Sequence, residues 1–254
     1  MAGNRARTAG GGVAMASCAF EAENSIFANN SAPDDPQVQN ECSAKFKISK
    51  VEDGCPTAAT CTNIVTGVAG FTAPAQATNA PTLLGDYSLV PAAAEIDLGN
   101  NGASIAGVLP DVTTIDELSS DAIGGERLIA VHQAAKVIDL GAMEASNTPP
   151  RYISFPVQVA MTTEPYTYTV VTTDANEPTG TGVTITTKVL PAWMRFKATG
   201  GNTGSVTGTP ATSDIGEHQI TLLATDPGGA GTEQKFKLNV FGKVFNAYLP
   251  ALGR

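Results

Sequence analysis

From Tyr152 to Phe241 apolar and polar side chains alternate in short runs, and each run ends in a turn-forming cluster. Period-two alternation places successive side chains on opposite faces of a strand, so this stretch is restricted to half-buried β-strands. In YTYTVVTT (166–173) Tyr166, Tyr168 and Val170 share one face, while Thr167 and Thr169 share the other. HQITLLAT groups Ile220, Leu222 and Ala224, and EQKFKLNVF sets Phe236, Leu238 and Val240 inward with Lys235, Lys237 and Asn239 outward. YISFPVQV (152–159), VTITTKV (183–189), WMRF and GSVTG supply the remaining runs. Roughly seven short strands in about 90 residues is the count expected for an immunoglobulin-like sandwich. The turn residues of DANEPTGTG, GGNTG, TPATSDIG and DPGGAG separate them.

Several spaced motifs sharpen this. The order LPAWMRF, GSVTGTP, SDIG and LLATDPGG resembles the cadherin-like, dystroglycan-type immunoglobulin module of bacterial surface proteins, over about residues 150–241. The resemblance implies that Trp193 belongs to the core or covers it. Gly208, Thr209 and Pro210 then form a turn. They do not form a phosphate loop, because no Lys and no helix follow.

The first 146 residues are less regular. SIFANNS reads as one rung of a right-handed parallel β-helix, with Ile26 and Ala28 stacking inward and Asn at the turns, and NECSAKFKISKVEDG reads as the next. GDYSLVPAAAEIDLGNNG and DLGAME (139–144) resemble the closing segment of secreted bacterial β-helix proteins of the choice-of-anchor type. That family usually has Ser-Pro where this chain has AAAE, and its turn between the two motifs survives here only as SSDAIGGERLI, with Gly125 and Arg127 in order. The expected architecture is therefore all-β. A short β-helix remnant (1–146) is followed by a cadherin-like sandwich (147–242) and a tail (243–254), with the break at the Pro149–Pro150 pair. Because the chain starts inside a rung, it reads as the end of a longer secreted protein or as a self-associating short form.

A formal charge of −9 argues against a nucleic-acid binder, which needs clustered Lys and Arg to displace counterions. No apolar run reaches the roughly 20 residues that span a bilayer. All four cysteines lie in the first 61 residues. Cys55 and Cys61 flank the short loop CPTAATC and are expected to form a disulfide, while the pairing of Cys18 and Cys42 is left open. Both points suit an extracellular or cell-surface setting.

No acid–base–metal cluster emerges. Glu21, Glu23, Asp34 and Asp35 sit in turn-like segments without a neighbouring Arg or His. His132, in the apolar run LIAVHQAA, and His218, on the inward side of a strand start, read as structural. The expected site is a calcium site. Asp174 and Asp226 begin the loops after the second and sixth strands, which share one pole of an immunoglobulin-like domain with its N-terminal end. Asn176, Glu144 and Asn147 would add oxygens at the domain junction, toward the 6–8 hard ligands typical of calcium. Glu164 and Asp214 belong to the opposite pole. The apolar tail residues Val244, Phe245, Tyr248 and Leu249 suggest a docked end or a partner-recruiting edge. The expected function is a non-catalytic secreted or surface module for adhesion or structure, stiffened by calcium and able to assemble with itself. The alternative is a polysaccharide lyase or hydrolase remnant of the β-helix type with an accessory sandwich.

Overall fold

A computed structural model describes residues 1–80, 85–105, 113–177 and 182–243. The tail positions Val244, Phe245, Tyr248 and Leu249 lie outside the described residues. The chain is all-β. Fifteen strands are accompanied among the described residues only by the single 3₁₀ turns Ala77–Asn79, Ile115–Glu117 and Thr212–Asp214. No helix among these residues is long and apolar enough to cross a membrane. The chain divides into two compact units, one built on Met1–Thr148 with the loop segments Ala175–Pro178 and Pro227–Gly229, and one on the remaining segments from Pro149 onward.

The first unit begins with parallel ladders. Strand β1 (Val13–Glu23) pairs with β3 (Val38–Lys47), and β3 pairs with β5 (Thr60–Thr62), while β2 (Ile26–Phe27) pairs with β4 (Lys50–Val51). Bridges from Ala2 to Ala28, Arg5 to Ser31 and Ala9 to Asp34 extend the stacking ahead of β1. Each turn of chain thus lies on the next in parallel register. Corners recur where the chain must turn left-handed. Asn24, Ile48 and Asn63 follow the ends of β1, β3 and β5 with φ of 52°, 43° and 53°. Asn tolerates this conformation through its short polar side chain, whereas a β-branched Ile there is strained. Inside the turns Met15, Ala22, Phe27, Val38, Ala44, Phe46 and Val51 form one buried cluster. Ile26, Phe27 and Ala28 are all buried, so the SIFANNS segment contributes three consecutive core residues where strict alternation would give two.

Cys55 and Cys61 are joined by a disulfide with their Cα atoms 6.0 Å apart. Peptide mapping of the exported protein without reduction is expected to recover these two cysteines linked. Two free thiols at these positions would contradict it.

Downstream, β6 (Phe71–Ala73) and β7 (Asp86–Leu89) form a small antiparallel pair, and residues 90–148 carry no further strand among those described. The run LIAVHQAA is neither strand nor helix. Its backbone is captured instead by a side chain, because Val131 N and His132 N both donate to Asp97 Oδ2 at 3.1 and 2.6 Å.

The second unit is a two-sheet sandwich. One sheet has the order β12 (Met194–Gly200), β13 (Thr203–Gly208), β10 (Tyr166–Thr173), β8 (Arg151–Tyr152). The other has the order β11 (Thr184–Val189), β14 (Gly216–Thr225), β15 (Gly231–Phe241), β9 (Val159–Met161), with β9 parallel to β15. Alternation fills the space between the sheets. Tyr166, Tyr168 and Val170 meet Ile220, Leu222, Ala224, Phe236, Leu238 and Val240 in one cluster. The expected single strand at 152–159 is split, because the chain leaves the edge of the first sheet at Tyr152 and joins the second at Val159. Pro156, which has no N–H to donate, lies in the crossing. Tyr168 Oη anchors the crossing by donating to Ser154 O at 3.1 Å. Trp193 packs half-buried against the core. Gly208 lies directly beneath it, and a Cβ there would come within 2.6 Å of Trp193 O and 2.8 Å of its ring. His218 meets the Trp193 ring edge-on at 5.8 Å, with Nε2 2.7 Å from Asp214 O.

Candidate functional site

Two acids stand at the ends of strands of the sandwich. β8 is antiparallel to β10, β14 is antiparallel to β15, and β15 is parallel to β9. From β8 the chain runs antiparallel along β10 as far as Val157 before it enters β9, so β10 and β14 both run opposite to it and finish at the same pole. Asp174 follows β10 directly and Asp226 follows β14 directly, and both are buried. Asp226 closes its own loop: its N donates to Ala230 O at 3.0 Å, and Ala230 N donates to its Oδ1 at 2.8 Å. The aspartate thereby holds the Pro-Gly-Gly turn with the Asx geometry that favours this residue.

The other three expected ligands have structural partners within the first unit. Asn176 Oδ1 accepts from Thr148 N at 2.8 Å, and its Nδ2 donates to Ser146 O at 3.1 Å. Asn147 Nδ2 lies against Gly228, at a distance that leaves no room for a side chain there. Glu144 belongs to a buried polar network. Its Oε2 accepts from Arg127 Nη1 at 3.1 Å and its Oε1 from Asp139 N at 3.1 Å. Among the described residues no three His, Cys, Asp or Glu side chains converge as a metal-binding group.

The network around Glu144 escaped the sequence reading. Asp139, fully buried, accepts from Asp97 N at 2.8 Å and Ala145 N at 2.6 Å. Arg127 also donates to Gly141 O at 3.2 Å, and Glu144 N donates to Asp121 Oδ2 at 3.0 Å. Burial is the main cause that raises both acids. It pushes Asp139 to about 6, and burial together with the neighbouring Asp139 pushes Glu144 to about 8, against the opposing pull of Arg127. A second buried pair, Lys50 with Glu95 at 2.9 Å, ties β4 to the irregular segment. The motifs quoted above contain Asp139, Glu144 and Arg127, but nothing local marks them as partners.

A cavity of about 540 Å³ in the first unit is lined by Glu23, Asp121, Arg127, Ile115 and Leu118, among others. Its acids are engaged. Asp121 Oδ1 accepts from Ile123 N and Gly125 N, and Glu23 Oε1 accepts from Asn100 Nδ2.

Residues 149–241 match the family model described as "Putative Ig domain", so this part of the chain is an immunoglobulin-like domain. The chain matches no curated protein. Among solved structures, an endo-fucoidan hydrolase of glycoside hydrolase family 107, MfFcnA9, is 27% identical over 42% of this chain and 19% of its own, with a TM-score of 0.33. A second, MfFcnA4, is 25% identical over 40% of this chain and 15% of its own, at 0.34. The SrpA adhesin from Streptococcus sanguinis is 19% identical over 39% of this chain and 59% of its own, at 0.30. The chain thus spans less than two thirds of each of these proteins.

Proposed function

We propose that this chain is a non-catalytic module of a secreted or cell-surface protein, serving adhesion or structure. The observation that carries this is the immunoglobulin-like domain at 149–241, whose sequence motifs from LPAWMRF to LLATDPGG resemble, in order, those of bacterial surface modules. We read the stacked parallel turns of the first unit as the end of a right-handed β-helix of the choice-of-anchor type. The parallel ladders and the recurring left-handed corners support this reading. A screen for reducing ends or unsaturated products released from pectins, alginates and glycosaminoglycans tests it against the polysaccharide-cleaving alternative. Turnover of any of them would overturn the non-catalytic reading.

Calcium is the cation this reading assigns to the pole of the sandwich, with Asp174 and Asp226 as central ligands. Two buried carboxylates at one strand-end pole repel each other without a cation. Calcium bound only by the folded domain should stabilise it by roughly 2.7 kcal/mol at a hundredfold excess over the dissociation constant. Extracellular modules commonly bind in the range of roughly 10⁻⁴–10⁻³ M, so millimolar calcium should suffice. Thermal melts with calcium and with chelator are expected to differ for the wild type and to coincide for Asp174→Asn/Asp226→Asn. Identical melting temperatures in all four conditions would leave these acids with loop closure alone.

A further inference from the structure

We infer that the outer face of the β12–β13–β10–β8 sheet is a docking surface for an anionic polysaccharide. Register defines this face. Arg195 lies opposite Thr207, and Thr207 opposite Thr167. One step on, Lys197 lies opposite Ser205, and Ser205 opposite Thr169. Residues two apart on a strand share a face and neighbouring strands lie roughly 4.8 Å apart, so these six side chains form a grid of two cations and four hydroxyls. Five of the six are exposed, and Ser205 is half-buried. The Thr199 and Thr203 hydroxyls continue the grid, 2.8 Å apart, and Arg151 adds a third cation opposite Thr173.

Charge sets this face apart. The chain carries nine more negative than positive charges, yet the outward residues of these four strands include no carboxylate. Among the described residues, Arg151, Arg195 and Lys197 make no ion pair. The lysines on the outer face of the opposite sheet are paired: Lys188 and Lys235 with Glu233, and Lys237 with Glu217. Unpaired cations embedded among hydroxyls suit a ligand that presents carboxylates or sulfates together with many hydroxyl groups. An acidic glycan has that chemistry. The face holds no aromatic side chain on which bases could stack, which disfavours single-stranded nucleic acid. The acidic remainder of the chain does not prevent docking, because at physiological salt charges are screened beyond about 8 Å.

This inference names a ligand class for the surface-module reading and rests on that reading only for where such a ligand is met. The test is affinity electrophoresis of the whole chain through gels holding dextran sulfate, polygalacturonate, neutral dextran or poly(dT). The wild type and the charge-preserving Arg195→Lys/Lys197→Arg should be retarded by at least one of the two anionic polysaccharides and not by neutral dextran. Arg195→Gln/Lys197→Gln should bind about tenfold more weakly, as loss of two exposed ionic contacts implies. Lys235→Gln/Lys237→Gln, on the opposite sheet, should bind like the wild type. Wild-type retention of the Gln variant, equal retention by neutral dextran, or no retention at all would overturn the inference. Stronger retention by poly(dT) than by either polysaccharide would replace it with a nucleic-acid surface. Reducing ends released during the run would overturn the non-catalytic reading and leave the docking face standing.

Discussion

Replacing Arg127 by Met is expected to destabilise the first unit by about 3–5 kcal/mol at neutral pH, because it removes the one cation from a buried group of acids. Arg127 Nη1 lies 3.1 Å from Glu144 Oε2, and both side chains are almost fully removed from solvent. The pair Asp139 and Glu144 already titrates high, at about 6 and about 8, chiefly through burial. Near neutrality the two acids together keep roughly one proton, and Arg127 balances the remaining charge. Both acids bind protons more readily folded than unfolded, where the ordinary values are 3.8 and 4.5. Their contribution to stability is therefore complete below those ordinary values. It is lost as the pH rises through about 6 for Asp139 and about 8 for Glu144. The cost of Arg127→Met should accordingly shrink in acid. Hydrogen exchange of peptides from 1–148, followed between pH 6 and 9, reads both effects. Protection should fall with pH in the wild type and fall less in Glu144→Gln. A flat wild-type profile, or the same slope in Glu144→Gln, would show that these acids do not retain protons.

A second large effect is expected at Phe46. This ring is fully buried in β3, with the rings of Phe20 and Phe27 at 5.7 and 5.5 Å. Phe46→Ala should cost about 3–5 kcal/mol, from lost burial and the cavity left behind. The stacked turns share this one ring cluster, so the loss should appear across 13–51 together rather than in one strand. Trp193→Ala should cost less, because Trp193 is only half-buried. Urea midpoints of the two variants would settle the order. A larger shift for Trp193→Ala would mean that the sandwich cover matters more than the first unit's core.

These sites differ in how far they could be read from sequence. The sandwich core was legible because each strand carries its own two-residue period, and Tyr168, Leu222 and Leu238 face inward as the alternation requires. The same rule failed between Tyr152 and Val159. There the alternation continues, but the chain changes sheets, leaving Ile153, Phe155 and Val157 at 49%, 88% and 62% exposure. In the first unit the burial of Ile26 and Ala28 was legible in SIFANNS, whereas that of Phe27 between them was not. The segment after Ala73 was not legible as structure. Its order depends on pairings between distant residues, such as Lys50 with Glu95 and Asp97 with the His132 backbone, and no local pattern announces them. At the candidate site, strand alternation locates Asp174 and Asp226 at strand ends. The same reading could not show that Glu144 faces a guanidinium seventeen positions earlier in the chain.

The stacked turns also change size. Ile26 lies opposite Lys50, but Lys45 lies opposite Thr60 and Lys50 opposite Val65, so the third circuit closes in far fewer residues than the second. The loop bridged by Cys55 and Cys61 sits where the second circuit runs its long strand β3. The third turn is therefore shorter than the second. The stack thus has a direction, with the long paired strands Val13–Glu23 and Val38–Lys47 toward one end and the short disulfide-bridged turn toward the other.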